Sequence, residues 1–201
     1  EVMTTSGKLP FRIYVPALAD PAPLPVIIAL HGAGGDENMF FAGYGAGRLL
    51  ELAAQQHFIA IAPLTYAVGR DPVAALDALL RVAAQQHPID PARVYVIGHS
   101  LGSALAATLV EQAPQRLAAA ALLMAAGPMR SGPSIPTRVI AAQNDPIVPA
   151  GSARAQIEAR AAAGAPITFE LLAGRGHTLA VGDVLPDVVG WLLSQRRVTE
   201  R

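Results

Sequence analysis

The sequence predicts an α/β chain: a mostly parallel central sheet covered by helices on both faces. Three observations point there. Apolar runs of strand length alternate with longer helical patterns along the chain, the signature of βα units around a parallel sheet. Several of these runs are apolar at every position rather than at alternate ones, as a strand buried on both faces requires. The composition can supply a core: 52% of the 201 residues are hydrophobic and 15% are charged. A domain of this size buries roughly 70% of the surface its unfolded chain exposes.

Taken in order, Phe11–Val15 reads as an early, half-buried strand that stops at Pro16. Val26–Leu30 is a continuous apolar run, and Phe58–Ala62, Val94–Ile97, Ala119–Met124, Arg138–Ala142 and Thr168–Leu172 are further strands. Helices fall between them. Arg48–Gln56 is the first. Asp71-Pro72 opens the next, because the aspartate can cap free amide groups and proline suits the first helical position. Within it Leu76, Leu79, Leu80 and Ala83 share one face. His87-Pro88 closes it, since the residue before a proline avoids helical geometry. Leu101–Gln112, Ala153–Ala163 and Val188–Gln195 are the remaining helices.

Residues 1–201 are read as a single domain, because no linker, repeat or low-complexity tail interrupts the pattern. Only residues 125–136 join the strand ending near Met124 to the strand beginning near Thr137. They hold Gly127, Pro128, Gly132, Pro133 and Pro136, a loop with no room for a cap domain. The segment Asn38–Gly47 carries Met39, Phe40, Phe41 and Tyr44. It is either a small apolar flap or a piece of the core.

Charge and composition exclude several functions. The formal net charge is zero and the longest basic run is Arg196-Arg197. Nucleic acid is therefore not an expected partner, since it needs a positive patch. The longest apolar stretch, Leu117–Ala126, is too short to span a bilayer. There is no cysteine, which removes disulfides, thiolate metal sites and a cysteine nucleophile together. The chain begins at Glu1 rather than methionine, so the expected location is either cytoplasmic or secreted after loss of a signal peptide.

The strongest chemical signal is Gly98-His99-Ser100-Leu101-Gly102, lying between a strand pattern and a helix pattern. That context is what a nucleophile elbow requires: small flanking residues for a tight turn, and a serine at a helix N-terminus whose dipole favours developing negative charge. The alternative is a chance match in a glycine-rich chain. The second signal is His31-Gly32-Ala33-Gly34-Gly35, directly after Val26–Leu30. Such a loop can turn backbone amides toward an oxyanion. The amides of Ala33 and of Leu101 are the expected donors, with Gly34 a lesser one. The alternatives are a plain loop or a phosphate-binding loop, and for the latter the required lysine is missing. His31 is expected to anchor the loop by side-chain hydrogen bonds.

A serine nucleophile needs a base, and the base an orienting acid. His177 is the one histidine after Ser100, in the loop Gly174-Arg175-Gly176-His177. The acid expected between them is Asp145, in Asn144-Asp145-Pro146-Ile147-Val148-Pro149, after the strand Arg138–Ala142. Glu111 and Glu158 fall on helices and Glu170 inside a strand, so they compete poorly. A plain turn aspartate is the alternative.

In this order and spacing the elbow, the His-Gly loop, the Asp145 segment and the Gly-His loop resemble the α/β-hydrolase superfamily, over about residues 10–195. The stretch Ile89-Asp90-Pro91-Ala92-Arg93-Val94-Tyr95-Val96-Ile97-Gly98-His99-Ser100 is similar to lidless esterases related to feruloyl esterases, polyhydroxybutyrate-depolymerase-like esterases and phospholipase/carboxylesterases. Ser103 departs from the second glycine those esterases often carry. The resemblance implies an α/β-hydrolase fold without a cap domain. It also implies a serine esterase acting through Ser100, His177 and Asp145, with no metal or organic cofactor. The expected partner is a small-molecule or polymer-borne ester. A peptidase of prolyl-oligopeptidase type and a non-catalytic binding protein on the same fold are the competing readings. The first lacks its usual extra domain here, and the second would show a lost triad member.

Overall fold

The structure is a computed structural model, and it describes residues 1–18, 22–125, 129 and 132–197. The strands are β1 Val2–Thr4, β2 Gly7–Leu9, β3 Phe11–Tyr14, β4 Leu24–Leu30, β5 Ile59–Pro63, β6 Ile89–His99, β7 Ala119–Leu123, β8 Thr137–Ala142 and β9 Ile167–Leu172. The α-helices are α1 Arg48–Gln56, α2 Pro72–Gln86, α3 Leu101–Gln112, α4 Gly151–Ala162 and α5 Leu179–Ser194. Seven strands form one sheet in the order β3-β5-β4-β6-β7-β8-β9. β3 runs antiparallel to β5, and every other neighbouring pair is parallel.

The pleat explains why the central strands are apolar throughout, since successive side chains point to opposite faces. From β4, Val26, Ile28 and Leu30 enter one core layer and Ile27 and Ala29 the other. Val94 and Val96 of β6 take the first layer, Tyr95 and Ile97 the second. The first layer is closed by Leu76 and Leu79 of α2, Leu109 and Val110 of α3 and Ile157 of α4. The second is closed by Leu49 and Leu52 of α1 and by α5. Helices thus cover both faces, as the α/β-hydrolase fold requires.

Local signals set most boundaries. Asp71 Oδ1 accepts the Ala74 amide at 2.9 Å and Pro72 opens α2, as the sequence predicts. α5 departs from expectation. It begins at Leu179 and runs through Pro186, where the expected helix was only Val188–Gln195. A proline inside a helix costs about 3 kcal/mol. Here Ala180, Val181, Val184, Leu185, Val188, Val189 and Leu192 are all buried along one face, and each large side chain fully buried contributes about 1.5–3 kcal/mol. Burial outweighs the proline. β6 also begins earlier than its apolar run, at Ile89, and its pairing with β4 shifts between Leu24 and Val26, which accommodates Pro91 in an irregular stretch. The β1–β2 hairpin has no counterpart among the strands read from the sequence.

Phe40 and Tyr44 of the Asn38–Gly47 segment are buried and pack in the second core layer, with Met39 and Phe41 against it. The segment is core, built as a short turn of π-helix (Met39–Gly43) and one of 3₁₀-helix (Tyr44–Ala46). Only residues 124–136 connect β7 to β8, and Gly127 and Pro128 of that loop lie outside the described residues. Among the described residues no cap stands between these strands. No helix among the described residues is long and apolar enough to cross a membrane.

Candidate active site

The sequence-predicted residues all follow the carboxyl ends of parallel strands: the glycine loop after β4, Ser100 after β6, Asp145 after β8 and His177 after β9. A parallel sheet brings these four ends to one edge.

Ser100 sits between β6 and α3 with φ 52° and ψ −112°, in positive-φ space that costs a non-glycine residue of order 1–3 kcal/mol. The turn is enforced by packing. A Cβ on Gly98 would stand 2.3 Å from the Gly102 carbonyl oxygen, and one on Gly102 would stand 2.0 Å from that of Leu30. Both glycines are therefore obligatory at this spacing. The Ser100 amide donates to the Leu123 carbonyl at 2.9 Å, which ties the elbow to β7. Ser103, which stands where related esterases often carry a glycine, is tied to the elbow. Its buried hydroxyl lies 2.7 Å from the Gly98 carbonyl and 2.8 Å from that of Leu123, beneath the elbow.

Asp145 and His177 are both buried, and His177 Nδ1 lies 2.6 Å from Asp145 Oδ2. The other carboxylate oxygen, Oδ1, accepts the amides of Ile147 and Val148 at 2.8 and 2.9 Å. Burial pushes the Asp145 carboxyl up, but the Val148 amide, the His177 bond and the Ile147 amide outweigh it and hold its pKa below the usual value. Its fixed negative charge orients His177 with the proton on Nδ1. The loops that carry Asp145 and His177 are tied to each other: the Asn144 amide donates to the Arg175 carbonyl at 2.8 Å, and the Gly174 amide to Gln143 Oε1 at 3.0 Å. Of the competing acids, Glu170 pairs with Arg138 and Glu158 with Arg154.

In the glycine loop, buried His31 accepts the Thr65 amide on Nε2 at 2.9 Å and donates from Nδ1 to the Gly32 carbonyl at 2.8 Å. The Gly34 amide is taken by the Tyr66 hydroxyl, and the Gly35 amide turns back to the Gly32 carbonyl at 3.2 Å. Gly34 is thereby withdrawn as an oxyanion donor. Among the described residues, Ala33 is left as the amide of the Ala33–Gly35 stretch without a protein acceptor. The Leu101 amide opens α3, where the first turn has free donors.

Three site residues were not singled out from the sequence. Tyr66 follows β5, whose carboxyl end lies at the same edge, so strand parity could have found it. His99, inside the elbow motif, is buried with Nδ1 2.7 Å from the Tyr44 hydroxyl and Nε2 3.1 Å from the His177 carbonyl. Burial first, and then the neighbouring His177 charge, pull the His99 pKa down to about 4, so it stays neutral. Tyr44 was read only as part of an apolar segment.

An open groove of about 350 Å³ reaches Leu101, the residue after Ser100, and is lined by Tyr66, Leu105 and Thr108 among others, with no ionisable group but the Tyr66 phenol. A larger cavity, about 610 Å³, lies at the opposite edge of the sheet between Pro114, Ile135 and Arg197 and touches none of the candidate residues. Among the described residues no group of three or more His, Asp or Glu side chains is arranged to hold a metal.

A family model described as the alpha/beta hydrolase fold matches residues 25–146. No curated protein matches the sequence. Among solved structures, a thermostable esterase superposes with a TM-score of 0.75 at 22% identity over 98% of this chain, and the chain spans 63% of that structure's length. A serine-to-alanine mutant of the feruloyl esterase module from Clostridium thermocellum, complexed with sinapinate, gives a TM-score of 0.79 at 13% identity, covering 100% of this chain and 89% of that one. An S-formylglutathione hydrolase from Agrobacterium tumefaciens gives 0.74 at 14% identity, with 96% and 94% covered. At these identities the likeness establishes a shared fold.

Proposed function

The chain belongs to the alpha/beta hydrolase fold family, and from that premise we propose that it is a serine hydrolase of carboxylic esters, with Ser100, His177 and Asp145 as its triad. The observation that carries the reading is the 2.6 Å Asp145–His177 bond, formed at the sheet edge that also holds a serine in strained, positive-φ geometry. A structural aspartate or histidine has no need of that arrangement.

Ser100 Oγ attacks the ester carbonyl carbon while His177 Nε2 takes the hydroxyl proton. The Ala33 and Leu101 amides stabilise the resulting oxyanion, each such donor contributing about 3–4 kcal/mol. Asp145 holds the imidazole tautomer and stabilises its charge. The tetrahedral intermediate collapses to the acyl-enzyme as His177 returns the proton to the departing alcohol. Water then repeats the sequence and releases the acid.

Uncharged groove walls support a neutral ester. So do four exposed apolar side chains at the edge of the sheet that carries the site: Tyr66, Ile147, and Leu101 and Leu179 at the starts of α3 and α5. Esterase neighbours, one solved with an aromatic acid, agree with that choice. The S-formylglutathione hydrolase neighbour favours a thioester as a second class, cleaved by the same steps. The test is turnover of p-nitrophenyl acetate by wild type and Ser100→Ala. Loss of activity with an unchanged unfolding midpoint is expected, and activity within about tenfold of wild type overturns the reading.

A further inference from the structure

The chemistry proposed above requires two loops at a fixed separation: the glycine loop after β4, which carries the oxyanion donor, and the loop after β9, which carries the base. Among the described residues no backbone hydrogen bond joins them. They are joined by side chains. The Gly32 amide donates to the Tyr44 hydroxyl at 3.3 Å, the hydroxyl lies 2.7 Å from His99 Nδ1, and His99 Nε2 lies 3.1 Å from the His177 carbonyl.

One assignment of hydrogens satisfies this chain. A carbonyl only accepts, so His99 Nε2 carries the ring proton and Nδ1 accepts. The Tyr44 hydroxyl must then donate to Nδ1, and its oxygen accepts the Gly32 amide. Every bond points the same way, an arrangement in which each polarises the next. The fit is close. The Tyr44 and His99 ring centres are 5.1 Å apart and those of His99 and His177 4.8 Å, and a Cβ on Gly32 would stand 2.6 Å from His99 Nδ1.

We propose that Tyr44 and His99 are positioning residues, a strut between the two loops that sets the Ala33 amide and the main chain of His177 at one separation. The proposal rests on the triad reading. Asp145 fixes the His177 ring, and the strut fixes the backbone from which the ring hangs. Tyr44 and His99 therefore act through their neighbours rather than on the reacting atoms. Loosening the strut displaces base and oxyanion donor together, so the loss falls on turnover and spares substrate binding. Neutrality of His99 is a condition of the hydrogen pattern, and its burial secures it.

The experiment measures kcat and KM separately on p-nitrophenyl acetate for Tyr44→Phe, His99→Gln, His99→Asn and the double variant Tyr44→Phe/His99→Asn, with Ser100→Ala alongside. Tyr44→Phe and His99→Asn are expected to lower kcat about ten- to a hundredfold, with KM within about twofold of wild type. His99→Gln can still place an amide donor against the His177 carbonyl and is expected to keep several-fold more kcat than His99→Asn. The double variant is expected to lose no more than the worse single one, because one chain of bonds is broken once. Equal losses in the Gln and Asn variants, a double loss equal to the product of the single losses, or wild-type kcat in Tyr44→Phe overturns the proposal. Tyr44→Phe keeps its ring in the core, so its kcat and KM decide the matter should the His99 variants not fold. An active Ser100→Ala sinks the triad reading itself. An inactive Ser100→Ala beside a fully active Tyr44→Phe sinks only the strut.

Discussion

Mild acid should destabilise this protein through His99, by a few kcal/mol. His99 is 3% exposed, and its pKa falls from 6.5 to about 4 because burial, and then the charge of His177, oppose its protonation. The folded-state value lies below the unfolded one. Between about pH 6.5 and pH 4 the unfolded chain therefore binds a proton that the folded chain refuses, and stability rises with pH across that window. At 1.36 kcal/mol per unit, the contribution present above pH 6.5 and lost by pH 4 is about 3 kcal/mol. Asp145 titrates lower in the folded protein than its usual 3.8, because the Val148 and Ile147 amides and His177 outweigh the cost of burial. Its contribution is present above that usual value and is lost only as the pH falls further. The assay is urea unfolding of wild type and His99→Gln across this range. The difference in unfolding free energy between them should shrink by about 3 kcal/mol from neutral pH to pH 4, since the variant has nothing to titrate there. A difference that stays constant, or grows on acidification, refutes the argument that His99 is held neutral by its surroundings.

Further expectations follow from single contacts. Asp145→Asn keeps the side-chain shape but favours the wrong imidazole tautomer, so turnover should fall by up to about 10⁴-fold with folding intact, and a mild loss measured in steady-state kinetics would point to another acid. Gly102→Ala drives a Cβ to 2.0 Å from the Leu30 carbonyl oxygen, and thermal unfolding should show a loss of more than about 1–3 kcal/mol together with loss of esterase activity. Ser103→Ala removes the hydroxyl that lies against the Gly98 and Leu123 carbonyls and should cost about 1–3 kcal/mol in urea unfolding, with no cost arguing that the contact is idle. Rates across esters from acetyl to palmitoyl should favour short or bulky acyl groups without a jump at the solubility limit. An open groove buries few methylenes, and each contributes only about 0.8 kcal/mol. A sharp optimum at long chains would contradict the open site.

What could be read from the sequence divides by range. α1, α2 and α3 were legible to the residue because their signals are local, such as Asp71-Pro72 at one end and His87-Pro88 at the other. That Ser100, Asp145 and His177 share one sheet edge is legible because a parallel sheet sends the residues after each strand there, so chain order translates into place. The expected Val188–Gln195 covers only the C-terminal half of α5, which runs on through Pro186 because burial against the sheet outweighs the cost of the proline. Tyr66 and the Tyr44–His99 pair were missed. Their partners lie 32 and 55 positions away, and no motif carries those distances. Gly34 shows the limit of a loop motif: three consecutive amides look alike in sequence, and only the folded loop shows that Gly34 is taken by the Tyr66 hydroxyl and Gly35 by the Gly32 carbonyl.

The most direct test of the central claim is the site of covalent modification by an organophosphate. The serine of an assembled triad reacts with such a probe, whereas an ordinary surface serine does not. Intact-mass and peptide mass spectrometry after labelling should find one adduct, on Ser100, with labelling lost in His177→Ala and in unfolded protein. An adduct on another residue, no adduct, or unchanged labelling of Ser100 in His177→Ala would contradict the account.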